Sequence, residues 1–259
     1  MARIFIISNR VAIPNSGTQP GGLEVVLKAT LKKHPCVWLG WSGDVNDTPP
    51  THTIRKGRNS YIVLDLRKED FEEYYNGFAN RVLWPIFHYR IDLAEFSRRD
   101  LSGYLRVNEQ FADELKKVLK PDDIVWVHDY HLIPLAQALQ ARGLNNKIGF
   151  FLHIPLPPPE ILTAMPHHET LIPALGAYDL VGFQTDGDAA NFARYLAKEL
   201  GGAVTHDIAA GQWCASHAYR NLSRRNRNPA VQPPRRPGRA HKVCPQGTRL
   251  DPGKVDYRR

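Results

Sequence analysis

The 259 residues, 42% hydrophobic and 10% aromatic, are enough for one large domain or two modest ones with a real core. No apolar run reaches the ~18 residues of a membrane span, and Ile4-Phe5-Ile6-Ile7 is too short for a signal-peptide core, so a cytoplasmic protein without a membrane partner is expected. The formal charge of +8 is concentrated in residues 203–259, where 12 Lys+Arg against 3 Asp+Glu give +9; residues 1–202 carry 22 against 23, or −1, which removes the case for nucleic acid over the body of the chain.

In chain order, residues 3–8 read as a first buried strand ending in the polar Ser8-Asn9-Arg10. Gly21-Gly22-Leu23 then opens a helix to about Lys33, and its backbone N–H groups can face an anion such as a diphosphate. A Gly-Gly pair is equally a loop needing positive φ, and neither a Walker A string nor GxGxxG is present. Two aromatic groups follow: Trp38-Leu39-Gly40-Trp41-Ser42-Gly43, and Tyr74-Tyr75-Asn76 with Trp84-Pro85 and His88-Tyr89-Arg90. Such rings serve a core or a sugar face equally well, and Arg10 is a candidate for bidentate pairing with a sugar phosphate.

Residues 124–127, 148–152 and 180–183 are near-continuously apolar, as parallel strands covered on both faces are. Helices are expected between them, at 132–142 before Gly143 and at 185–200 from the capping-competent Thr185. Polar residues stand directly after the strands: His128-Asp129-Tyr130-His131 after one and His153 after the next, where open α/β sheets bind ligands. The odd set Cys36, Cys214 and Cys244, without CxxC spacing, argues against a disulfide framework and a structural zinc site.

Beyond Gly202 the composition changes. Leu, Ile, Val and Phe number 7 of the 57 residues 203–259, Pro reaches 6, and the basic pairs lack interleaved aromatics, so a disordered or irregular solvated tail is expected over a nucleic-acid arm. So abrupt a change also reads as the product of a frameshift or truncated gene. With no apolar strand on offer there, a bare sheet edge and an uncovered face are expected.

The strings SNR, GGL, WLGWSG, YYNGFANRVLWPIFHYR, GYLRVN, VWVHDYHL, NNKIGFFLHIPLPPPE and YDLVGFQT, in this order over residues 3–202, resemble the trehalose-6-phosphate synthase family. The resemblance implies an α/β fold, a Rossmann-like N-terminal domain of a GT-B glycosyltransferase over residues 1–202, with the C-terminal donor-binding domain absent. It implies transfer of glucose from UDP-glucose to glucose 6-phosphate with retention, no metal and no cofactor, and a homo-oligomer in the full-length family. By the same resemblance Arg10, Trp41, Tyr75, Trp84 and Asp129 hold glucose 6-phosphate, Gly21, Gly22 and His153 hold UDP-glucose, and His153 and Asp129 stand at the reacting centre.

The family's RLDYSKG-type cationic segment has no convincing counterpart; Arg249-Leu250-Asp251 with Lys254 is a faint echo in a Pro/Arg-rich string. Little or no synthase activity is therefore expected of this chain. Two rivals remain: a catalytically dead module that binds glucose 6-phosphate, and a metal-dependent hydrolase using His128, Asp129, His131 and His153.

Overall fold

The computed structural model describes residues 2–11, 27, 30–200 and 212–213. The expected helix start at Gly21-Gly22 and all of the tail but residues 212–213 lie outside the described residues; residues 30–33 are helical and end at Lys33 as expected.

Among the described residues, one sheet of eight strands runs in the order β3-β4-β2-β1-β5-β6-β7-β8. These are β1 Ile4–Arg10, β2 Cys36–Val45, β3 Thr51–Lys56, β4 Asn59–Leu66, β5 Ile124–His128, β6 Lys147–Phe151, β7 Leu180–Gly182 and β8 Gln212–Trp213. From β4 to β7 every pairing is parallel, whereas β3 and β8 lie antiparallel on the two edges. Alternation along β1 shows why the apolar strands sit at the centre: Phe5 and Ile7 enter one core cluster and Ile6 the other, so both faces are buried.

The larger cluster is covered by helices. The run 68–87, called α1, is α-helical at Lys68–Asp70, π-helical over the thirteen residues Phe71–Leu83 and α-helical again at Trp84–Phe87. Helix α2, Arg98–Val118, starts at Ser97, whose hydroxyl accepts from the Asp100 N–H, and buries Tyr104, Val107, Phe111 and Leu115 along one stripe. Helix α3 is Leu135–Ala141 and α4 is Asp186–Leu200. The Thr185 hydroxyl accepts from the Asp188 N–H, and Gly143 closes α3 at φ 79°, so both expected boundaries are present.

The aromatic string at 38–43 is part of a parallel strand, β2, because its alternate residues Leu39 and Trp41 face one core while Trp38 faces the other. Two expectations change. The helix expected from Leu132 begins three residues later, after a 3₁₀ turn at Tyr130–Leu132, since Pro134 has no N–H to donate and sits as the N-cap. The edge beyond β7 is not bare: Gln212 and Trp213 pair with Gly182 and Val181, a ladder that needs only backbone groups and so escapes a judgement made on side-chain composition. On the face of β5, β6 and β7 away from α3, Trp126, Gly149, Phe151 and Leu180 line an open hollow of about 420 Å³.

Candidate functional site

The chain leaves β1 toward β2 on one side and reaches β5 on the other, so the strand order reverses at the β1–β5 boundary. In such sheets the carboxyl ends of the strands at the reversal form a crevice. The residues that emerge there are Ser8-Asn9-Arg10, His128-Asp129 and, from the neighbouring β6, His153.

The end of β1 is pinned before it delivers Arg10. The Ser8 hydroxyl donates to the Arg10 carbonyl at 2.7 Å and accepts the Trp38 indole N–H at 2.8 Å, while Asn9 accepts the buried Tyr74 hydroxyl at 2.9 Å. The pairing with β2 shifts register between Ile7 and Arg10. Arg10 then lays its guanidinium over the Trp41 ring, 5.4 Å from the centroid, against the irregular stretch of β2 at Gly43, where a Cβ would fall 2.0 Å from a guanidinium nitrogen.

Trp41 itself is 3% exposed and commits its indole N–H to the Asp44 carbonyl. It therefore supports Arg10 from below and has no hydrogen bond to offer a sugar. Its ring meets Tyr75 at 5.4 Å, and Tyr75 stacks on His131 at 5.8 Å with 14° between planes. The π-helical stretch supplies Tyr74, Tyr75 and Asn80, and Asn80 accepts the Tyr130 hydroxyl at 3.0 Å.

Asp129 follows β5 at φ 75°, ψ 166°, a conformation non-glycine residues rarely hold and which costs about 1–3 kcal/mol. Its Oδ1 accepts the backbone N–H of Tyr130 at 3.0 Å and of His153 at 3.3 Å, tying the ends of β5 and β6 together. Burial pushes its carboxyl up to about 6, opposed by those two N–H groups and by His88. His88 packs its ring 4.1 Å from that of Trp84, which is 43% exposed at the end of α1.

His128, buried, shares a hydrogen bond of 3.0 Å between its Nδ1 and His153 Nε2. Burial and the neighbouring His153 lower His128 to about 3, and burial lowers His153. His131 is lowered to about 3 by burial alone, wedged against Tyr75 and Tyr130 with both ring nitrogens unpartnered among the described residues.

The structure thus links Arg10, Trp41 and Tyr75 by ring contacts, joins Asp129 to His153 by a hydrogen bond, and packs Trp84 on His88. Gly21 and Gly22 lie outside the described residues. The four groups of the metal-hydrolase reading do not converge: His131 turns into the aromatic layer, and among the described residues no three His, Cys, Asp or Glu are arranged to hold an ion. Sequence reasoning assigned no role to Asn80 and none to Gly43 as the seat of Arg10, and it placed Asn9 and His128 at strand ends without seeing their partners Tyr74 and His153.

The model of glycosyltransferase family 20 matches residues 10–218. A trehalose-6-phosphate synthase of Sinorhizobium fredii is 52% identical over 205 residues, 77% of this chain and 44% of its own length. The solved alpha,alpha-trehalose-phosphate synthase (UDP-forming) of Burkholderia xenovorans in complex with glucose-6-phosphate superposes with a TM-score of 0.76 at 43% identity, covering 83% of this chain and 49% of that one. A structure from E. coli bound with UDP-2-fluoro glucose gives 0.74 at 44% identity, covering 83% and 48%. The chain spans less than half the length of these relatives.

Proposed function

From its place in glycosyltransferase family 20, to which this chain belongs, we propose that it forms the acceptor-binding side of a retaining transferase that moves glucose from UDP-glucose to glucose 6-phosphate, giving trehalose 6-phosphate. The observation that carries this reading is the Arg10–Trp41–Tyr75 stack at the end of β1, with Asp129 at the end of β5 across the strand reversal. A guanidinium held on an aromatic ring is a preorganised phosphate clamp, because its planar fork matches two phosphate oxygens. Tyr75 and the exposed Trp84 offer flat faces to the sugar ring, and Asp129, ionised above about pH 6, accepts from a sugar hydroxyl. Trp41 acts through Arg10 and Tyr75. His153, in this reading, meets the donor glucose, and Gly21-Gly22 meet the diphosphate.

Retention requires the acceptor hydroxyl to attack on the face from which UDP departs, so charge on the leaving diphosphate must be met by cations. Removing one such donor commonly costs about 100- to 1,000-fold in rate. Those cations are assigned, in this reading, to the half of the relatives' length that these 259 residues do not match. The 259-residue polypeptide should therefore bind glucose 6-phosphate and turn over little. The relatives bound to glucose-6-phosphate and to UDP-2-fluoro glucose support the two substrates. No helix among the described residues is long and apolar enough to cross a membrane. A cytoplasmic location belongs to the same reading, since charged sugar phosphates do not cross a bilayer unaided.

Calorimetry on the chain tests this. Glucose 6-phosphate should bind, and Arg10→Ala should weaken it at least tenfold, about 1.4 kcal/mol, while leaving the melting temperature unchanged. Absence of binding at millimolar ligand, or binding indifferent to Arg10, would sink the proposal.

A further inference from the structure

The two histidines that close β5 and β6 share one hydrogen bond, and its direction decides what His153 can offer a ligand. We propose that His128 is a positioning residue that holds His153 with its ring proton on Nδ1, so that His153 meets a ligand as a hydrogen-bond donor. The choice of a sugar hydroxyl or diphosphate oxygen as receiver rests on the glucosyl-transfer reading; the tautomer does not.

With 3.0 Å between His128 Nδ1 and His153 Nε2, one proton lies between them. In one arrangement His128 Nδ1–H donates, His128 Nε2 is bare, and His153 carries its own proton on Nδ1. In the other His153 Nε2–H donates, His128 is protonated on Nε2, and His153 Nδ1 is a bare acceptor. A doubly protonated ring on either side is opposed by burial, which lowers both groups.

The far nitrogen of His128 discriminates between the two. Its Nε2 is buried beside the Trp126 ring, 4.4 Å between centroids, and has no hydrogen-bond partner among the described residues. The second arrangement would bury an orphaned N–H there, and orphaned donors are rarer in folded proteins than under-satisfied acceptors. The first leaves only a bare lone pair.

The rest of His153 is fixed so that this direction matters. Its N–H is held by Asp129 Oδ1, its carbonyl accepts from the Gln184 side-chain amide, and its ring packs 4.8 Å from Phe151. With Nε2 turned inward, Nδ1 is the ring nitrogen left for a ligand. As a donor it engages hydroxyl or anionic oxygens; as an acceptor it would be mismatched to a phosphate oxygen, which has no proton to give.

The tautomer is readable by two-bond ¹H–¹⁵N correlation spectra of the full chain, with the His153 signals identified by their loss in His153→Gln. The wild type should show a protonated Nδ1 and a bare Nε2 on His153, against the Nε2–H preference of a free imidazole. His128→Phe should return His153 to Nε2–H, while His128→Asn, whose amide nitrogen stands where Nδ1 stood, should keep the native pattern. An Nε2–H pattern in the wild type, or a pattern unmoved by His128→Phe, overturns the proposal. If the phenylalanine variant does not fold, the wild type and His128→Asn decide. Failure of the glucosyl reading would show as missing glucose 6-phosphate binding, a separate measurement.

Discussion

At the scale of single residues, two positions hold backbone conformations that only the site explains. Gly43, at φ 100°, lies where any Cβ would strike the Arg10 guanidinium. Gly43→Ala should strain the strand backbone at its positive φ and push Arg10 off Trp41, lowering glucose 6-phosphate affinity by about tenfold. In an Arg10→Ala background the same change should have no further effect, since the coupling runs through the guanidinium; calorimetry of the four-member cycle checks this. Asp129 carries the other strain. Its folded carboxyl titrates near 6 against an ordinary 3.8, so the native state holds the extra proton between those values and loses stability as pH rises through them. The loss is about 1.4 kcal/mol per pH unit, about 3 kcal/mol in all. Asp129→Asn should flatten that dependence in urea melts at pH 4 and 7. It should also remove the component of ligand affinity that grows through pH 6 beyond the ligand's own phosphate titration.

At the scale of elements, α1 and α2 approach closely because each puts a glycine where the other brings a carboxylate side chain. A Cβ on Gly103 would sit 2.2 Å from Glu73 Cβ, and one on Gly77 would sit 2.5 Å from Asp100 Cγ. The approach lets Arg106 span Asp70 and Glu73 and lets Arg99 reach Glu73, whose carboxyl those cations hold below its usual range against its burial. Gly103→Ala gains helix propensity yet must separate the helices, for a net loss of about 1–2 kcal/mol. Because α1 carries Tyr75 and Trp84, the same variant should weaken glucose 6-phosphate binding although it touches no ligand. Chemical denaturation and calorimetry on one sample would separate the two effects. The thirteen-residue π-helical stretch has no counterpart in the apolar periodicity of YYNGFANRVL: a reading of that string sees aromatic residues, while their facing toward Trp41 and His131 follows from the wider winding and the pressure of α2.

At the scale of the whole molecule, two buried neutral histidines weaken the fold in acid, alongside ion-paired carboxyls such as Glu73 and Asp123. His128 and His131 have folded values near 3 against 6.5, so only the unfolded chain gains their protons as pH falls between those limits, and stability drops by about 1.4 kcal/mol per unit for each. The two outweigh the opposing trend of Asp129. His131→Phe keeps the ring between Tyr75 and Tyr130 and should move the acid-unfolding midpoint, followed by circular dichroism, to lower pH. The sequence by itself determined the α/β class, the apolar strands at 124–127 and 148–152, the caps at Thr185 and Gly143, and the strand-end strings from which the candidate site is built. These are local properties, carried by runs, spacings and single capping side chains. The tertiary structure alone decided that 38–43 is a strand, that β8 closes an edge, that Trp41 supports Arg10 with its N–H already used, and that His128 faces His153 while His131 does not. Each depends on which buried atoms become neighbours across long stretches of chain, and burial and partnership of that kind are set by packing that residue order leaves open.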